Sequence, residues 1–165
     1  STVLYDVNKD NNLDLVVAGG FDYAPFGDNN GNGTLIAILW GSGSAFDTNN
    51  STIVSTGVYP DEFCGDVVFY DIDSDGNDEI IARFADDGNT EEVKIFKHNG
   101  DFIYTDSSNE LIGNNNNATG RSIVWLRAQD IDGDGNVDIF NSDKGNSNIG
   151  NIQHWEWDGS KMRRK

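Results

Sequence analysis

Apolar residues in this chain recur at period two or in short continuous runs, each bounded by Gly, Asn and Asp. Period two marks half-buried strands, and short runs between turn residues fit strands covered on both faces. Helical spacing is nearly absent. Three segments read alike: "STVLY", "DVVFY" and "SIVWLRAQ" each lead into an acidic stretch, and each stretch is followed by a second apolar run, "LDLVVAGG", "EIIARF" and "VDIFN". Farther on, "TLIAILWGSGSAF", "EEVKIFKHNGDFIY" and "IQHWEWDGSKM" each read as a strand, a tight turn containing Gly, and another strand. One unit is therefore strand, acidic loop, strand, variable loop, strand, hairpin, strand. The two prolines, Pro25 and Pro60, fall in the longer connections.

The acidic stretches begin at Asp6, Asp71 and Asp130, at intervals of 65 and 59 residues. Four strands in about 60 residues predict a blade of a β-propeller. The expected repeats are about 1–55, 56–112 and 113–165, one propeller segment covering the 165 residues. A closed propeller generally uses about 4–8 blades. The predicted fold is thus all-β and incomplete: a fragment of a longer propeller, or a half that a second copy completes as a homodimer. Open ends would leave two blade faces bare.

Charge narrows the choice of partner. With 28 acidic and 11 basic residues the net charge is −17, which repels nucleic acid and anionic membranes. No apolar stretch approaches the roughly 20 residues of a membrane span, so no membrane insertion is expected. Four Trp and 11% aromatic residues argue against a disordered acidic chain. Cys64 is the single cysteine, so no disulfide forms within the chain. The N-terminal "STVLYD" is no signal peptide and reads as the middle of a strand, as in a processed chain. Sequons at Asn32, Asn49, Asn50 and Asn117 carry little weight among 21 Asn.

Aligned by position, the acidic loops agree closely. Position 1 is Asp6, Asp71 and Asp130; position 3 is Asn8, Asp73 and Asp132; position 5 is Asp10, Asp75 and Asp134. Position 6 is Asn11, Gly76 and Gly135, position 7 is Asn12, Asn77 and Asn136, and position 9 is Asp14, Glu79 and Asp138. Alternation at 1, 3 and 5 lets a tightly curled backbone aim successive oxygens at one centre. Position 6 needs a sharp turn, which Gly permits and Asn tolerates. Position 7 would offer its carbonyl and position 9 a final acid. Hard oxygen donors in a flexible loop suit Ca²⁺ better than Mg²⁺ or Zn²⁺. An EF-hand would demand Glu at position 12 and helical flanks. Val17, Ala82 and Asn141 stand there, between predicted strands, so neither an EF-hand nor a dockerin-like loop fits.

Asp-X-Asp/Asn-X-Asp-Gly-X-X-Asp before a strand, three times at about 60-residue spacing, resembles the FG-GAP/VCBS propeller repeats. Related blades occur in integrin α-subunit heads and in bacterial secreted and surface proteins. The resemblance covers essentially the whole chain. It implies a calcium-binding propeller, each ion held between the first two strands of a blade. By position its ligands are Asp71, Asp73, Asp75 and Glu79, then Asp130, Asp132, Asp134 and Asp138. The first loop, with Asp6, Asn8, Asp10 and Asp14, departs by having Asn8 at position 3 and Asn11 for Gly. Asp78, beside Glu79, would substitute for it or be solvated. Two to three ions are expected. The loops hold twelve of the 28 acids, Asp78 included; three Ca²⁺ would bring −17 to about −11. Metal should then contribute to folding, because empty loops crowd like charges.

No catalytic arrangement stands out. His98, in a hairpin, and His154, among alternating aromatics, read as a turn residue and a strand-surface residue rather than bases. Cys64 reads as a small core residue. Calcium loops already account for most paired carboxylates, so no glycosidase pair is singled out. Binding is expected on the long connections, Gly19–Gly33 with Asp22, Tyr23, Phe26 and Asp28, Thr56–Asp66 with Tyr59, Asp61, Glu62 and Phe63, and Asn109–Arg121. Trp40, Trp125, Trp155 and Trp157 fall in predicted strands and are expected between blades, although Trp155 and Trp157 share a face that an exposed end would also present. The basic tail "KMRRK" reads as a solvated terminus or a contact for another acidic copy. The expected protein is a calcium-stabilised, non-enzymatic binding or adhesion scaffold, secreted or on the cell surface, with a carbohydrate or protein ligand. An ancillary part of a larger secreted polysaccharide-active enzyme and a self-assembling half propeller are the alternatives. Millimolar extracellular calcium suits weak acidic loops of this kind.

Overall fold

Twelve strands run through the described residues in three groups of four. The computed structural model describes residues 1–21, 32–58, 62–86, 91–99, 103–108, 125–143 and 151–165. The first sheet comprises β1 (Thr2–Tyr5), β2 (Asp14–Phe21), β3 (Asn32–Gly41) and β4 (Phe46–Val58). β5 (Glu62–Tyr70), β6 (Glu79–Asp86), β7 (Glu91–His98) and β8 (Tyr104–Asp106) form the second. The third holds β9 (Leu126–Gln129), β10 (Asp138–Asp143), β11 (Asn151–Trp157) and β12 (Met162–Arg164). Every sheet is an antiparallel meander in chain order, and the three do not close into a barrel. The predicted all-β, incomplete arrangement of three four-stranded units is the observed one.

Side-chain alternation fixes how the sheets stack. On β2, Val16 and Ala18 face the second sheet; with Ile36 and Ile38 of β3 they pack on Cys64, Val67, Ile80, Ala82, Phe84 and Phe96. The other face of the second sheet gives Ile81, Val93 and Ile95, which pack on Leu126, Val137, Ile139, Trp155, Trp157 and Met162. β6 is thus covered on both sides, which is why Ile80, Ile81 and Ala82 follow one another without a polar residue between them. Burying each such aliphatic side chain contributes about 1.5–3 kcal/mol.

Two faces lack a described neighbouring sheet. On the first sheet the register aligns Leu4, Leu15 and Leu39 across three strands. Leu4, Leu13, Phe46 and Ile53 there are 42–54% exposed. On the third sheet the outward residues include Phe140, Ile152, His154 and Glu156, and the Phe140 and His154 rings stack at 4.5 Å. Trp155 and Trp157 lie instead in the interface between the second and third sheets. Their face points inward because β11 pairs with β10 so that Trp155 aligns with Ile139. Trp40 packs against the first interface.

Candidate metal centres

Each acidic loop joins the first two strands of its sheet, and all three share one backbone path. Positions 4 and 6 have positive φ throughout: Lys9 (57°) and Asn11 (67°), Ser74 (60°) and Gly76 (90°), Gly133 (79°) and Gly135 (89°). The left-handed demand at position 6 follows from Gly and Asn. The same demand at position 4 has a sequence signal only in Gly133, because Lys9 and Ser74 disguise it.

The position-1 carboxylate organises this path. Asp71 Oδ1 and Oδ2 accept from the Asp75 and Gly76 N–H groups (3.0 and 2.9 Å). Asp6 accepts likewise from Asp10 and Asn11 (3.0 and 2.9 Å), and Asp130 from Gly133 and Gly135 (2.7 and 2.9 Å). Position 5 accepts the position-7 N–H: Asn12 to Asp10 (2.7 Å), Asn77 to Asp75 (2.9 Å) and Asn136 to Asp134 (2.8 Å). Those backbone donors are the main reason that Asp10, Asp75 and Asp134 are held below the ordinary aspartate range.

Carboxylates converge in two loops. Oxygens of Asp71, Asp73 and Glu79 lie within 4.8 Å of one another, as do those of Asp130, Asp132 and Asp138. These are positions 1, 3 and 9 of the predicted ligand sets. Position 5 stands outside both groups, turned to its own backbone donor. In the first loop Asn8 occupies position 3; its Nδ2 donates to Asp10 Oδ2 (3.0 Å).

Position 9 shows how the loops diverge. One oxygen always accepts the position-2 N–H: Val7 to Asp14 (2.9 Å), Ile72 to Glu79 (2.9 Å) and Ile131 to Asp138 (3.0 Å). The other oxygen differs. Asp14 Oδ1 accepts from Gly41 N–H (2.8 Å), where a Cβ would stand 2.0 Å from Leu13 O. Asp138 Oδ1 lies 2.6 Å from His154 Nε2. Glu79 Oε1 is buried with no hydrogen-bond partner, on a residue of 0% exposure, and Asp73 Oδ1 in the same group is also buried without one. Burial foremost, then the charges of Asp73 and Asp75, pushes the Glu79 carboxyl up to about 7 despite the Ile72 donor. Buried carboxylate oxygens without donors are rare in folded chains, and a bound cation is a direct way to satisfy them.

Several residues take roles that the sequence reading did not assign. Asp78 is engaged by the first sheet and its loop: Tyr5 Oη donates to its Oδ2 (2.8 Å), and Lys9 Nζ is 3.5 Å away. Lys9 Nζ also donates to Gly76 O (2.5 Å), and the Tyr5 and Phe69 rings stack at 4.4 Å. The first loop is thereby clamped onto the second sheet. Lys97 of β7 donates to Asp73 Oδ2, with its Nζ 3.6 Å from Asp75 Oδ2. His154, on the outward face of β11, joins Asp138 and Glu156 in a third group of side chains that could hold a metal. Of the long connections expected to bind ligand, Asn109–Arg121 and most of Gly19–Gly33 lie outside the described residues; Thr56–Asp66 is shorter than expected, since all but residues 59–61 belongs to β4 and β5. A cavity of about 600 Å³ does open on the first sheet, lined by Leu4, Asn11, Asn12, Leu13, Gly43, Ser44, Ala45 and Phe46.

Comparison of the chain with protein-family models, with curated proteins and with solved structures finds no match in any of the three.

Proposed function

We propose that the chain is a calcium-stabilised, non-enzymatic binding or adhesion scaffold of a secreted or surface protein, built from FG-GAP/VCBS-like blades. The observation that carries this reading is the second loop. Asp71, Asp73 and Glu79 converge there, while Glu79 Oε1 and Asp73 Oδ1 are buried without donors. Oxygen-only donors on a flexible loop fit Ca²⁺. Asp6, Asn8, Asp10, Asn12 and Asp14, then Asp71, Asp73, Asp75, Asn77 and Glu79, then Asp130, Asp132, Asp134, Asn136 and Asp138 would hold two to three ions. The ions would join the first two strands of each blade and present the connections to a carbohydrate or protein ligand.

Calcium titration of the chain by calorimetry, with melting in calcium and in chelator, tests the reading. Two to three bound ions and a higher melting temperature in calcium are expected. No binding at millimolar calcium and an unchanged melting temperature would sink it. A glycan array and a pull-down with the calcium-loaded chain test the ligand side. Silence in both favours the alternative of an ancillary segment in a larger polysaccharide-active enzyme.

A second reading, the self-assembling half propeller, is favoured by the two faces that have no neighbouring sheet among the described residues. The face of the first sheet that carries Leu15 and Val17 corresponds, position by position, to the face of the second sheet that packs on its predecessor through Ile80 and Ala82. Two copies joined head to tail would make six blades.

A further inference from the structure

The three loops carry nearly the same acids, yet the strand beside them differs at one place. The pairs Leu15–Leu39 and Ile80–Phe96 put Trp40 and Lys97 one step on, across from Asp14 and Glu79; Glu156 pairs with Asp138. Tryptophan, lysine and glutamate thus occupy equivalent positions beside the position-9 acid. Trp40 Nε1 donates to Thr52 Oγ1 (3.2 Å), and Glu156 is ion-paired with Lys165 (2.7 Å). Lys97 reaches the loop itself, donating to Asp73 Oδ2 with Asp75 Oδ2 at 3.6 Å.

We propose that Lys97 is the second loop's built-in cation: a tethered ammonium that holds its carboxylates together without metal and that a divalent ion must displace to enter. Asp73, Asp75 and Glu79 share one ammonium, and Asp71 converges on Asp73 and Glu79 beside it, so the loop keeps a deficit of positive charge. Glu79 Oε1 and Asp73 Oδ1 stay without donors even with Lys97 in place. A divalent ion among these oxygens would lie within a few ångströms of Nζ, where like charges repel strongly. The Lys97 side chain is 32% exposed, which leaves its head a path to solvent. The second loop therefore takes calcium more weakly than its acids alone would, and it holds its shape better than a bare acidic loop when calcium is scarce. The displacement half of the proposal rests on the calcium reading above; the tethering half does not.

The test uses the whole chain, calcium chloride and three variants. Lys97→Met keeps the length and apolar stem, Lys97→Arg keeps the charge, and Asp71→Asn disables the second loop. In Lys97→Met one calcium site should tighten tenfold or more, and the calcium-free melting temperature should fall by several degrees. Lys97→Arg should follow the parent chain in both. In an Asp71→Asn background, Lys97→Met should leave the titration unchanged. A Lys97→Met chain that folds only with calcium would be the extreme of the expected result. Equal affinities and equal calcium-free melting in the parent and Lys97→Met overturn the proposal alone. Absence of calcium binding in both chains overturns the calcium reading and the displacement with it; a drop in calcium-free melting still upholds the tether.

Discussion

Glu79 concentrates the chemistry of the second sheet into one side chain. Its carboxyl, ordinarily near 4.5, is pushed up to about 7 chiefly by burial. The folded state therefore holds its proton more tightly than the unfolded state. In calcium-free buffer the stability this adds is present below about pH 4.5 and is lost as pH rises through about 7, by at most about 3 kcal/mol. Denaturant titrations from pH 4.5 to 8 should show that decline, Glu79→Gln should flatten it, and calcium should restore stability at the upper end. Cys64 gives a separate check at this scale. It is buried in the first interface, and burial pushes its thiol up to about 12. Thiolate is the reactive form, so the folded chain should resist alkylation at pH 8 and react promptly once unfolded. Rapid labelling of the native chain would contradict the observed position of β5.

Loops and strands carry different vulnerabilities. Gly135 has φ of 89° with open space around the site of a Cβ, so Gly135→Ala meets strain and no clash. A loss of about 1–2 kcal/mol is expected, with or without calcium, readable as a shift in the denaturant midpoint. Ser74→Gly runs the other way, since Ser74 already sits at φ of 60°; it should be neutral to slightly stabilising. Among the strands, Ile81 is wholly buried between the second and third sheets, and Ile81→Ala should cost about 2–5 kcal/mol. The alternation of apolar residues made these strands legible in the chain. The loops were legible through three aligned copies of one pattern. Lys97, Lys9, Tyr5 and Gly41 were not, because each acts on a loop from another strand or another sheet, and no local spacing records that.

At the scale of the molecule, charge is unevenly spread. Residues 59–108 carry a net −11, against −5 for residues 1–58 and −1 for residues 109–165. In the middle sheet Lys97 already offsets part of that excess, whereas Glu156 stands at the same place in the third sheet. Hydrogen exchange in chelator should then show β9 and β10 losing protection ahead of β5 and β6, which are packed on both sides. The apolar face of the first sheet, which has no neighbouring sheet among the described residues, makes an equally concrete demand on the assembly. A solution mass of twice the chain, reduced to one by Leu15→Glu, is expected for the half propeller, and a strict monomer at high concentration excludes it.

By itself the amino-acid sequence determined that the chain is all-β, that it repeats three times, and that each repeat gathers oxygen donors between its first two strands. Those properties are local: they follow from period-two alternation, turn chemistry and the spacing of acids along a few residues. Only the tertiary structure decided which acids meet, which oxygens stay buried without donors, and which cation reaches them. Asp71, Asp73 and Glu79 converge because β6 pairs with β5 and buries Glu79. Lys97 joins them because β7 lies beside β6. Pairing between distant strands brings these groups together, and burial then sets the cost of leaving them unmatched.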